Sequence, residues 1–482
     1  MHPRPPHVTT AAVALFTLLI AAAQAAPVVD PDFQIIDEDA AASDRFGTAL
    51  AKGTGFLAIG SPLADTPELS GGKLTIERPV WIGPVDAPGQ ESAFVESIEH
   101  LDAGQNAEFG AALAASGDRL FVGSPGWRLT EHISTTQGAV FVYDVPSSVL
   151  ATSSMLQMIS PGSLERYDEF GDAVACGLDD YGILWLAVGV PGRDNDAGAV
   201  WMYLHDSASD TWTLQETVQP AGLQAGDRFG DAVALDGDLL VIGAPGTDSD
   251  SGAVYVRRLS AATQTWDDTY SIAASESSAT GGFGSSVAVS GYHILIGGPD
   301  GTGHASLWTD ISTAGLLVHS MDLSPDSWID VEGWGTAVAI EGDRAVVGGP
   351  PDTGSGPDGL AAVFRQTDND EFQIVARLGE GDWGSDARHG TSVLLSNHVV
   401  WVAAPRAHID GTSGGAVARW DVTRTPGCMG DLDFDFQVDA TDLTTLIDGW
   451  MAGAGADLTG DDETDILDLL LVLESWGGCP TQ

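Results

Sequence analysis

One phrase recurs seven times along this 482-residue chain and restricts its fold more than any other feature. The phrase is an aromatic residue and Gly, a short apolar stretch, G-x-P, a polar loop, and then Gly-Ala-Val-aromatic. Its clearest copy is FGDAVALDGDLLVIGAPGTDSDSGAVYV, from Phe229 to Val256, and the copy before it runs from Phe170 to Tyr203. Others begin at Phe46, Phe109, Phe283 and Trp334, and a degenerate one begins at His389 and continues through Val402 and Gly415. The glycines of the paired motif stand at 47, 110, 171, 230, 284, 335 and 390, at intervals of 63, 61, 59, 54, 51 and 55 residues.

A repeat of this length accommodates four short strands. VALDGD and LLVIG read as two strands joined by a tight turn, GAVYV as a third, and segments such as WTLQETV from Trp212 and FQIVARL from Phe372 as a fourth. The expected fold is therefore all-β: a seven-bladed β-propeller over residues 27–425. The last copy ends at GAVARWDV without a fourth strand. The segment DFQIIDEDAA from Asp32 matches EFQIVARLGEG from Glu371, so the N-terminal strand is expected to complete the seventh blade and remove the open edge. Gly of the aromatic-Gly pair is expected where a Cβ would strike the neighbouring blade, with the aromatic wedged between sheets. These motifs resemble the FG-GAP repeats of integrin α-chain propellers and of many bacterial secreted proteins, over roughly residues 30–425.

Composition narrows the setting. The formal charge is −50, with 69 acidic and 19 basic residues, and Lys occurs only at Lys52 and Lys73. Such a chain repels nucleic acid and anionic lipid and attracts divalent cations. Arg4, the apolar run Ala11 to Ala23 and Ala23-Gln24-Ala25 read as a secretory signal over residues 1–26, so an extracellular or cell-surface location is expected. No later stretch has the length of a membrane span. In an oxidising compartment Cys428 and Cys479 are expected to pair and staple the segment 428–482 closed, leaving Cys176 as a buried free thiol in a strand.

From Cys428 onward there is neither Lys nor Arg. Two 12-residue segments there present oxygen ligands at the spacing calcium uses. The first offers Asp431, Asp433, Asp435, the Gln437 carbonyl, Asp439 and Asp442. The second offers Asp457, Thr459, Asp461, the Glu463 carbonyl, Asp465 and Asp468. Leu443, Leu446, Ile447 and Trp450, and again Ile466, Leu469, Leu470 and Leu473, follow helical spacing after each loop. Loop then helix, twice, with Asp at position 12, resembles type I dockerins. The resemblance implies bound Ca2+ and docking onto a cohesin-like module or other scaffold or surface protein, with Ala440, Thr441, Ile466 and Leu467 at the contact. Phe436 and Asp462 stand where the loop pattern has Gly, and the enclosing cysteines are an addition to the family's pattern.

Gly411 to Gly415 satisfies G-x-S-x-G, but it lies in a loop before a strand rather than between strand and helix. The blade loops carry Asp194 and Asp196, and Asp248 and Asp250, two residues apart beside Gly, as weak metal-binding candidates or plain solvated turns. No catalytic set stands out. The expected function is a secreted, non-enzymatic adhesion or recognition protein whose propeller meets a protein or polysaccharide ligand and whose C-terminal module tethers it through calcium. One rival is an extracellular enzyme of polysaccharide degradation, recognisable by carboxylates from different blades converging on one pocket. Another is a structural component of a cell envelope.

Overall fold

The computed structural model describes residues 28–29, 33–36, 44–64, 71–82, 90–99, 106–128, 136–148, 151–260, 263, 265–277, 279, 281–301, 303–311, 316–324, 333–350, 359–367, 371–378, 387–409, 412–422, 437–438, 443 and 477–478. Seven antiparallel sheets account for nearly all of the strands. Blade three is representative: Val174–Leu178, Leu184–Val190, Ala199–Asp206 and Thr211–Val218 pair in that order, from the inside outward. The innermost strands of successive blades contact one another in turn, and Ser392–Ser396 of blade seven returns to Leu50–Gly53 of blade one. A closed ring of seven blades follows, as the repeat count requires.

Closure takes the expected form. Phe33–Ile36 is the outer strand of blade seven, antiparallel to Ala416–Asp421, with Ile35 opposite Val417. In blade six a short additional strand, Val28–Val29, lines the outer edge of Phe372–Leu378.

The core is distributed between blades rather than gathered at a centre. Second strands such as Leu239–Ala244 are buried throughout, because both faces of each sheet are covered by neighbours. Phe46, Phe109, Phe170, Phe229, Phe283 and Trp334 are all fully or almost fully buried, wedged against the preceding blade. Phe229, for example, packs with Ala187, Val200 and Met202 of blade three. In blade seven the wedge is His389, equally buried, edge-on to Trp420 at 5.9 Å; burial pushes its imidazole down to about 3.

Residues 424–482 belong to a separate compact unit. The described residues of 424–482 are a two-residue antiparallel pairing of Gln437–Val438 with Gly477–Gly478 and Leu443 in helical conformation.

Candidate functional site

Each aromatic-Gly pair is the middle of a β-turn. In all seven, the N–H of the residue after Gly donates to the carbonyl of the residue before the aromatic, at 2.9–3.3 Å. The Gly φ values cluster near +90°, for example 93° at Gly47 and 89° at Gly335. This is the signature of a type II turn, in which only the third position demands positive φ. A second constraint acts on the same glycine. A Cβ on Gly230 would stand 2.6 Å from the Ala199 carbonyl of the preceding blade.

The residue before each aromatic is left-handed as well. Blades one to four and seven place Arg45, Glu108, Glu169, Arg228 and Arg388 there, with φ between 54° and 59°; blades five and six use Gly282 and Gly333. A non-glycine residue costs of order 1 kcal/mol in this region. Since each turn feeds the innermost strand, the seven turns circle one end of the ring. They carry a charged arc across blades seven and one to four and an uncharged one at blades five and six.

Arg228 organises the charged arc. Its guanidinium donates to Asp231 at 2.7 Å and Glu169 at 3.2 Å and lies 3.9 Å from Asp172. Burial, with Asp231 and Glu169 alongside, raises the Asp172 carboxyl to about 7 against the opposing pull of Arg228. Burial and Glu169 likewise raise Glu108, opposed by Arg45. Four carboxyl groups from blades two, three and four thus share one arc with arginines, and one of them is poised to hold a proton near neutrality.

Sequence reading passed over this set because position −1 of the motif varies among Arg, Glu and Gly. The available signal was its restriction to glycine or long charged side chains. The blade loops singled out for their acidic spacing serve it through their backbone. Asp194, Asn195 and Asp196 are all left-handed, as are Asp248, Ser249 and Asp250. This places the Asp196 carbonyl to accept from the amides of Arg228 (2.7 Å) and Gly226 (3.1 Å), and the Asp250 carbonyl to accept from Gly282 (2.8 Å). The Asp194 carboxylate accepts from Gln219 at 2.8 Å. Among the described residues no group of three or more His, Cys, Asp or Glu is arranged to hold a metal.

Ser413 lies in a two-residue hairpin with His408–Ile409, away from any helix, as expected of a loop serine. Cys176 is a free thiol on the innermost strand of blade three; it is half-buried where a buried thiol was expected, and burial of its sulfur pushes it up to about 12. Of the twelve C-terminal calcium-ligand candidates only Gln437 is described. The other eleven, with Cys428, Cys479, Ala440, Thr441, Ile466 and Leu467, lie outside the described residues.

The geometry defines a seven-bladed β-propeller built from one recurring unit. The FG-GAP repeat model matches residues 212–257, from the outer strand of blade three into the third strand of blade four. No curated protein matches the chain. Among solved structures it is similar to Sqt1 from Chaetomium thermophilum, at 17% identity and a TM-score of 0.44, covering 79% of this chain and 88% of that one. It is also similar to the same organism's Sqt1 bound to the N-terminus of the ribosomal protein L10, at 17% identity and 0.46, covering 83% and 88%. No described helix is long and apolar enough to cross a membrane.

Proposed function

We propose that this protein is an exported recognition platform that uses the charged end of the ring to bind a ligand and its C-terminal module as a calcium-dependent tether. One observation carries the reading: five of seven structurally equivalent left-handed positions hold Arg or Glu where Gly would be conformationally cheaper. Cations and carboxylates side by side around one end of the ring suit a ligand that presents both charges, or hydroxyls able to donate and accept, as protein and polysaccharide surfaces do. The tether rests on the duplicated loop-helix spacing after Cys428, and export on the leader-like first 26 residues.

Two measurements on the intact protein test this. Calcium titration should give heat that Asp431→Ala together with Asp457→Ala removes, and the loaded protein should retain a cohesin-like partner that a chelator releases. Arg228→Gly, which keeps the turn, should weaken retention of the propeller's ligand at least tenfold in a pull-down from the medium. Equal retention by both proteins would overturn the binding role of the ring.

A second reading has specific support. Glu108, Glu169, Asp172 and Asp231 come from three different blades, and burial with its acidic neighbours raises the Asp172 carboxyl to about 7. Glycoside-cleaving carboxyl pairs divide acid and base roles in this way. An activity screen on polysaccharides with wild type and Asp172→Asn decides between the two, since only the enzyme reading expects turnover that the variant loses.

A further inference from the structure

The third strand of each blade turns one face toward the preceding blade, and the fifth residue after its opening glycine lies on that face. That residue is Tyr143 in blade two, Tyr203 in blade three, Trp308 in blade five, Phe364 in blade six and Trp420 in blade seven, and in blade four it is Arg257, which donates to the Trp266 carbonyl at 2.8 Å. Several of these rings meet their own blade's wedge edge-on, as Tyr143 meets Phe109 at 6.4 Å and Phe364 meets Trp334 at 6.3 Å. In blade one, whose preceding neighbour is blade seven, the residue is Glu77.

Glu77 is 8% exposed, and no side-chain partner for its carboxyl exists among the described residues. It stands opposite Leu57, which packs with Ile35, Trp401 and Val417 across the closing seam. Two residues earlier on the same face, Thr75 is 4% exposed and its hydroxyl is likewise without a partner among the described residues. At the interface closed by the returning N-terminal strand, a carboxyl without a partner among the described residues thus stands where five other blades place a ring.

We propose that Glu77 makes this seam a pH-gated latch: neutral Glu77 keeps blade one against blade seven, and its ionisation loosens the hold on Phe33–Ile36. Burial alone lifts this carboxyl to about 7, so the charge appears within the physiological range. The charged groups on the facing surfaces are Lys52, Lys73 and Glu99 of blade one and Arg419 and Asp421 of blade seven. Lys52 donates to the carbonyls of Gly53 and Phe56, and burial together with Arg419 lowers its proton affinity; none of the five offsets the burial of Glu77. A group with a raised folded pKa contributes stability that is full below about 4.5 and is lost as pH rises through about 7.

Amide hydrogen exchange on the intact protein, corrected for the intrinsic rate at each pH, reads the latch directly. Opening of residues 33–36 and 416–421 should be about 100-fold more frequent at pH 8.5 than at pH 5, while residues 239–244 in blade four keep their protection. Glu77→Gln should flatten the seam's pH dependence. Glu77→Tyr, which installs the residue of blades two and three, should keep the seam closed at both pH values. Equal seam protection at the two pH values in the wild type, or an unchanged pH profile in a variant that folds, overturns the proposal. The wild-type profile decides it alone should neither variant fold.

Discussion

Gly243 in the second strand of blade four lies directly under the Gly284 carbonyl of blade five, and a Cβ at 243 would collide with that oxygen. The same relation holds between Gly60 and Gly110, Gly123 and Gly171, Gly189 and Gly230, Gly297 and Gly335, and Gly348 and Gly390. The first glycine of G-x-P is therefore where the next blade's turn docks. At the closing seam the position is Ala403, whose methyl lies 2.8 Å from where a Cβ on Gly47 would be.

Gly243→Ala should accordingly force blades four and five apart, with a cost of about 3 kcal/mol from backbone that cannot give way. Ala403→Gly at the equivalent position should cost no more than about 1 kcal/mol, the ordinary price of Gly in a strand. Denaturant midpoints of the two variants test this, and similar losses in both would refute the docking role.

His389 makes stability depend on acidity in a known direction. Its folded pKa, about 3, lies below the unfolded 6.5, so the stabilisation is complete above 6.5 and is lost as pH falls toward 3. At pH 5 the loss amounts to about 2 kcal/mol. His389→Phe, which restores the wedge of the other blades, should match wild type near pH 7.5 and exceed it progressively below pH 6 in thermal melts. A constant difference across this range would mean the imidazole is not held neutral.

Asp172 has the opposite sign. Raised to about 7, its carboxyl contributes stability that is full below about 3.8 and disappears as pH rises through 7. Asp172→Asn should leave stability unchanged near pH 4 and raise it by on the order of 1 kcal/mol at pH 8, discounted because the carboxyl is 30% exposed. Melting temperatures at the two pH values provide the check, and a gain at pH 4 would contradict the assignment.

Ile35 is 6% exposed at the heart of the seam, against Leu57, Trp401 and Val417. Ile35→Ala should cost about 2–4 kcal/mol, and Ile35→Asp should in addition expose the edge of Ala416–Asp421 to pairing with other chains. Sedimentation of Ile35→Asp at rising concentration should reveal that association; a monomer of wild-type stability would exclude the seam role.

The number of blades, their strand order and the pairing of Phe33–Ile36 beside Ala416–Asp421 were legible in the chain because each is local or repeated. Alternation identifies strands, glycine identifies the type II turn, and the match between the segments from Asp32 and Glu371 identifies the missing outer strand. The charged arc and Glu77 were not legible. Arg45, Glu108, Glu169 and Arg228 stand about 60 residues apart, and one varying position in a motif resembles ordinary surface drift until the ring brings its copies together. Glu77 in a strand reads as a solvent-facing residue, since alternation separates two faces and cannot say that blade seven covers this one. Repetition specifies what each blade is, whereas which charges meet depends on how neighbouring blades pack, and the burial of Glu77 depends on blades one and seven, adjacent only after Phe33–Ile36 closes the circle.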